Sequence, residues 1–294
     1  MVNMINKKSN IFGDDIAFVE QWDFSKANMS EENRINAITQ VASICYQSSK
    51  SLNSESLYNR LLAESQGLPS SSFEFVPVLL SFNDRIKIFS IWDETKDSRH
   101  ELLHTRKYGE SILDGSYLLT NLRALTADVG DRAKEFFNTE EECAIIAQYF
   151  KVFLYKVDFP TRSQMVRHRV NWQELSRRYV SGKRVPFDFY VSEKMNYIES
   201  IYEFHDKYGD NEVLLGTEDI LNICLEHYYK ALEKGVKPQE ARRIIPQAAY
   251  TQIWGAFQPT QYANFMKLRD DSHAQWEIAQ VAKAMRELVQ GKTV

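Results

Sequence analysis

Cysteine is scarce: Cys45, Cys143 and Cys224 are the only three in 294 residues. Odd in number and far apart, they exclude a disulfide framework and a cysteine-built zinc site, so no metal is expected and a reduced, cytoplasmic setting is. No apolar run approaches the roughly 20 residues of a membrane span, and the polar stretch from Met1 to Asn10 lacks a signal-peptide core. A surplus of positive charge is also missing. The net charge of −4 and pI near 5.9 argue against general attraction to a nucleic-acid polymer or an anionic membrane. Nothing has the form H-x-E…C-x-x-C, a P-loop or G-x-G-x-x-G, so zinc deaminase, NTPase and Rossmann readings lack support. Internal repeats and low-complexity tracts are absent too.

What the chain does have is apolar and aromatic content, 44% and 13%, enough for one large or two modest cores. Ile35, Ile38, Val41, Ala42 and Cys45 recur at helical spacing after Ser30-Glu31-Glu32, predicting a helix over 31–48; a second is expected over 54–66. Phe73 to Trp92, rich in β-branched and aromatic residues, predicts strands, as does Tyr149 to Asp158, ended by Pro160. Beyond 191 the patterning predicts helices over about 191–208, 217–234, 238–254, 259–268 and 272–290, the last opened by a Ser272/Gln275 capping box. The class expected is α+β, with an antiparallel sheet, a helical bundle and a mostly helical C-terminal half.

Chemistry concentrates in Arg167-His168-Arg169-Val170-Asn171-Trp172-Gln173-Glu174-Leu175-Ser176-Arg177-Arg178-Tyr179. Four guanidiniums, an imidazole, a carboxylate, two amides and two hydroxyls in thirteen residues suit a phosphorylated polar ligand. Arginines make bidentate, charge-assisted contacts to phosphate worth about 1.5–3 kcal/mol each. A solvated basic helix face is the plainer reading of such a run, but Val170, Trp172 and Leu175 interrupt the charges. A second group lies downstream: Ala241-Arg242-Arg243-Ile244-Ile245-Pro246, Tyr250-Thr251, and Asn264-Phe265-Met266-Lys267-Leu268-Arg269 running on to His273-Ala274-Gln275-Trp276-Glu277-Ile278. Read alone, Arg242 and Arg269 are surface or ion-pair residues and His273 a solvated or capping one.

Together the two groups resemble the flavin-dependent thymidylate synthases in order and spacing. The first matches their R-H-R…(N/Q)-E-x-S-x-R-Y, with Gln164 three residues ahead; the second closely resembles A-R-x-x-L-P…Y-T…N-F-x-x-L-R-x-x-x-x-A-Q-x-E-I, with Ile245 at the Leu before Pro246. Cys45-Tyr46-Gln47-Ser48 adds a short match. The resemblance implies one domain of that family's fold over 1–294, with an insertion at about 93–148. It further implies a homotetramer with active sites between subunits, and reductive methylation of dUMP to dTMP. FAD is the implied cofactor, with NADPH and methylene-tetrahydrofolate as co-substrates and no protein nucleophile on the pyrimidine. By position, Arg167, His168, Arg169, Gln173, Glu174, Asn264, Leu268, Arg269 and Ser71 contact FAD, with His273 near its ring. Gln164, Glu174, Leu175, Ser176, Arg177, Arg178, Arg242 and Arg269 hold dUMP, and Arg269 polarises the pyrimidine.

The chain departs from the family in three places. The spacer from Arg169 to Ser176 holds six residues, one fewer than usual. Within a continuous helix that would turn everything beyond it by about 100°; a turn at Val170-Asn171 is expected to absorb it. Gly67-Leu68-Pro69-Ser70-Ser71-Ser72-Phe73-Glu74-Phe75 stands for G-H-x-S-x-x-E-H, with Leu68 and Phe75 in place of the histidines. Gln258-Pro259-Thr260-Gln261-Tyr262 stands for N-x-R-S-L, without its Asn and Arg. Each lost contact to FAD would cost about 1–3 kcal/mol. An N-x-R-A-L run inside the insertion, Asn121 to Leu125, reads either as an amphipathic helix packing Leu118, Leu122 and Leu125 or as the source of the missing contacts. Two other functions stay open: a relative that hydroxymethylates pyrimidine C5, and a catalytically silent nucleotide or flavin binder.

Overall fold

The computed structural model describes residues 6–46, 54–63, 69–95 and 103–291. Strands β1 (Asn6–Asn10) and β2 (Phe18–Trp22) are followed by helices α1 (Glu31–Tyr46) and α2 (Ser54–Leu62). Next come β3 (Pro77–Leu80), α3 (Phe82–Thr95), α4 (Leu103–Lys107), β4 (Glu110–Ile112), β5 (Tyr117–Asn121), α5 (Leu122–Val129) and α6 (Glu140–Tyr149). The remainder runs β6 (Lys151–Asp158), α7 (Phe159–Met165), β7 (Asn171–Glu174), β8 (Glu199–Asp206), β9 (Gly209–Gly216), α8 (Thr217–Glu233), α9 (Pro238–Ala241), β10 (Tyr250–Phe257), α10 (Pro259–Arg269) and α11 (Trp276–Val289).

Five strands form an antiparallel sheet in the order β1-β2-β6-β10-β7. Its central strands are covered on both faces, which follows from side chains alternating along a strand. Phe153, Tyr155 and Val157 of β6, with Ile253 and Phe257 of β10, meet Ile278, Val281, Ala282 and Met285 of α11 and Phe265 of α10. Val152 and Leu154, with Trp254 and Ala256, face the other way, into a cluster with Ile38, Val41 and Ala42 of α1. Each fully buried side chain of this size contributes roughly 1.5–3 kcal/mol. Leu118, Leu119, Leu122, Leu125 and Ile146, from the stretch read as an insertion, belong to that same second cluster. Mixed helices and antiparallel sheets make the chain α+β.

Several elements differ from the sequence reading, each for a local reason. Of the strands expected over Phe73–Trp92, only β3 forms; Phe82–Thr95 is helical. Ser81 and Asp84 cap that helix reciprocally: Ser81 N donates to Asp84 Oδ2 (2.8 Å) and Asp84 N to Ser81 Oγ (3.2 Å). The helix expected over 191–208 gives way to the hairpin β8–β9, turned at Gly209, whose φ of +123° suits glycine. The one expected over 238–254 stops before Pro246, with Ile245 already extended, and Tyr250–Phe257 becomes an inner strand. Helix α11 starts at Trp276 with Gln275 as N-cap, so the Ser272 capping box does not form. The C-terminal half is accordingly less helical than expected. The segment Tyr117–Leu125 splits into β5 and the start of α5, where Asn121 Oδ1 accepts from Ala124 N (3.0 Å). Gln47-Ser48 and Gly67-Leu68 lie outside the described residues.

Candidate functional site

Helix α7 leaves β6 with Pro160 in its first turn and ends at Met165, where the chain turns. His168 N donates to Met165 O (3.1 Å) and Val170 N to His168 O (2.9 Å), after which β7 joins the sheet edge beside β10. The signature is therefore turn and strand rather than continuous helix, and the short spacer swings nothing around a helix axis. Because the triplet sits in this turn, its side chains diverge: Arg167 and Arg169 are exposed while His168 is buried.

The His168 ring packs against Phe265, 4.7 Å between centroids, and its Nε2 accepts a hydrogen bond from Arg269 Nε (2.9 Å). An imidazole that accepts at Nε2 carries its proton on Nδ1. Burial first, and the Arg269 charge second, hold His168 below the ordinary histidine range, so the ring is neutral at physiological pH. Arg269 ends α10 and also donates to Gln164, to Oε1 at 3.3 Å and to the carbonyl oxygen at 3.4 Å. Gln164 in turn donates to Gln275 Oε1 (2.5 Å), tying α7 to the start of α11. His168 and Arg269 line an open pocket of about 410 Å3 together with Arg167, Arg169, Asn264 and Leu268. Burial and the neighbouring Arg167 charge depress the Arg269 pKa. Two residues ninety-five positions apart in the sequence, Arg169 and Asn264, thus share one wall, as the paired motifs implied.

Other expected site residues fall elsewhere. Arg178 donates to Gln239 Oε1 (3.3 Å) and Arg242 to the Gln239 carbonyl (3.3 Å), forming a second, exposed basic cluster outside the pocket lining. Arg177 is 6% exposed; it donates to the carbonyls of Val185 and Pro186 and lies 3.9 Å from the Phe187 ring centroid, holding the following turn together. The Ser176 carbonyl accepts from Tyr179 N and Val180 N, and Leu175 is in the core. Glu174 receives both Nε and Nη2 of Arg162 and the Thr251 hydroxyl (3.2 Å). Ser71 Oγ donates to Gln173 Oε1 (2.9 Å), whose Nε2 reaches Cys45 Sγ (2.8 Å), while that thiol meets the Glu174 carbonyl (3.0 Å). His273 is exposed and bonded to Asp271 (2.8 Å).

Sequence reasoning missed Arg162, Gln239 and Cys45 as partners. The pairing of Arg162 with Glu174 carries no motif, since the two stand twelve positions apart across a chain that turns back on itself. Of the departures, Phe75 is fully buried in the core and Leu68 lies outside the described residues. Arg123 donates to the Pro69 carbonyl (2.8 Å) and pairs with Glu74 (2.6 Å), and Asn121 caps α5, so neither lines the pocket between Arg167 and Arg269.

Residues 144–293 match the family model described as thymidylate synthase complementing protein. The flavin-dependent thymidylate synthase of Thermotoga neapolitana is 30% identical over 144 residues, 48% of this chain and 62% of that protein. That of Thermosipho africanus is 34% identical over 140 residues, 45% of this chain and 60% of that protein. The enzyme of Pyrococcus furiosus is 30% identical over 127 residues, 42% and 47% of the respective chains. The matched stretch spans about half to three fifths of these relatives' length.

Proposed function

The chain belongs to the flavin-dependent thymidylate synthase family, and on that footing we propose that it converts dUMP to dTMP by reductive methylation at C5. The observation that carries the reading is the Arg269–His168 contact at the wall of a pocket flanked by Arg167 and Arg169. The donor set fits a flavin nucleotide: Arg167 and Arg169 offer guanidiniums to phosphate, Asn264 an amide, and the half-exposed Leu268 an apolar surface for a planar ring. In this reading FAD supplies the hydride, methylene-tetrahydrofolate the carbon and NADPH the reducing equivalents.

Arg269 binds and polarises the pyrimidine. His168 and Gln164 fix its guanidinium before substrate arrives, so a cation already stands where carbonyl charge grows as C5 becomes nucleophilic. Arg178 and Arg242, held on either side of Gln239, take the nucleotide phosphate. Among the described residues no histidine is bonded to Ser176, which serves binding rather than attack. The Arg178–Arg242 cluster stands outside the Arg269 pocket lining, which supports an active site completed between subunits of a homotetramer. One domain over 1–294 is supported by the core that 118–146 shares with α1 and β10.

Visible absorption tests this reading. The protein is loaded with FAD, freed of excess and titrated with dUMP; retained flavin with a saturable band shift is expected. Absence of retained flavin would overturn the cofactor assignment, and flavin indifferent to dUMP would overturn the substrate.

A further inference from the structure

The flavin pocket has a second wall, formed by the first turn of α10. Pro259 has no backbone N–H, so Thr260 presents the first amide donor of that helix beside the pocket. A carboxylate from a remote segment takes this donor. Glu110, at the start of β4, accepts from Thr260 N (2.9 Å) through Oε2 and from the Thr260 hydroxyl (2.6 Å) through Oε1.

Glu110 is held in place from several directions. Its backbone pairs with Leu119 of β5, anchored in the core. Gly109 precedes it, where a Cβ would come within 2.4 Å of the Thr105 carbonyl oxygen, so this close approach requires glycine. The pocket is consequently polarised along α10: Arg167 and Arg269 stand together at the C-terminal end of that helix, while Glu110, outside the lining, sets a carboxylate against the lining residue Thr260 at the N-terminal end.

We propose that Glu110 is a specificity-determining residue of the pocket: it excludes anionic groups from the N-terminal end of α10 and confines the phosphates of a flavin nucleotide to the arginine end. The inference rests on the assignment of this pocket to a flavin. A carboxylate that already accepts two hydrogen bonds keeps lone pairs for hydroxyl donors, such as those of a ribityl chain or ribose, but repels phosphate. It lowers affinity for anionic flavins generally and ranks them by charge.

Dissociation constants for FAD, FMN and riboflavin, read by quenching of flavin fluorescence, test this in wild type, Glu110→Gln and Glu110→Asp. Glu110→Gln is expected to tighten FAD and FMN by about fivefold or more at low salt, with the gain shrinking as salt rises. Uncharged riboflavin should change by less than about twofold, and Glu110→Asp, which keeps the charge, should follow wild type. Unchanged or weaker FAD binding in Glu110→Gln, or an equal gain for riboflavin, would overturn the role of Glu110 while leaving the flavin reading intact. If neither wild type nor any variant binds a flavin, the pocket assignment itself fails, and this inference with it.

Discussion

Held between the Phe265 ring and the Arg269 guanidinium, His168 is a neutral acceptor whose protonation would break the pocket's central contact. Its pKa lies below the ordinary 6.5. As pH falls past that value the unfolded chain takes up a proton that the folded one refuses. Stability is thus complete above pH 6.5 and declines down to the lowered folded pKa, below which this group adds no further slope. The urea midpoint should fall between pH 7 and 5.5, and His168→Asn, which keeps an acceptor but does not titrate, should flatten that slope. Flavin affinity should hold through that window and weaken only as pH falls through the lowered folded value, since an imidazolium cannot accept from Arg269 and repels it; an affinity that stays level down to the acid limit of the fold would contradict the role given to this contact. That Arg167, His168, Arg169, Asn264, Leu268 and Arg269 gather here was legible from the two motifs. How they bond was not: the Arg269–His168 and Gln164–Gln275 contacts follow from where α7, α10 and α11 end, which short-range spacing does not encode.

Among the elements, β7 and β10 set the position of the signature. Gly255 of β10 faces Trp172 of β7, and a Cβ there would lie 2.6 Å from Trp172 Cζ3 and 3.0 Å from the Phe257 ring. Gly255→Ala should therefore destabilise the fold by about 1–3 kcal/mol through overpacking, read as a lower urea midpoint at unchanged slope. It should also weaken flavin binding, because displacing Trp172 moves the turn that carries Arg167 and Arg169. A midpoint within error of wild type would show that β7 yields freely. The pattern hid β10 because a strand buried on both faces shows no polar alternation, and the arginines and alanines before it read as helix formers. By contrast, α8, α10 and the body of α11 were legible, α8 and α11 through apolar stripes at helical spacing.

At the scale of the whole molecule, the separation of the Arg178–Gln239–Arg242 cluster from the Arg269 pocket bears on assembly. If subunits share each site, Arg178→Ala and Arg269→Ala proteins, each inactive alone, should regain partial dTMP formation when mixed and allowed to exchange subunits. No recovery despite demonstrated exchange would place the whole site within one protomer. A single sequence could suggest this arrangement only through resemblance, since an inter-subunit partner leaves no spacing signal along the chain. The stretch at 103–149 was less legible still. Its strands are short and its leucines equally suited to a helix, and only the completed core shows that β5 and α5 pack against α1 and β3.

Trp172 donates its indole N–H to the His168 carbonyl (3.1 Å), which puts a natural fluorophore one hydrogen bond from the pocket wall. Flavins absorb where tryptophan emits, so occupancy at this wall would drain Trp172 emission by resonance energy transfer. With Trp172→Phe as the blank for the other four tryptophans, the protein carries its own gauge of cofactor loading, readable without a label.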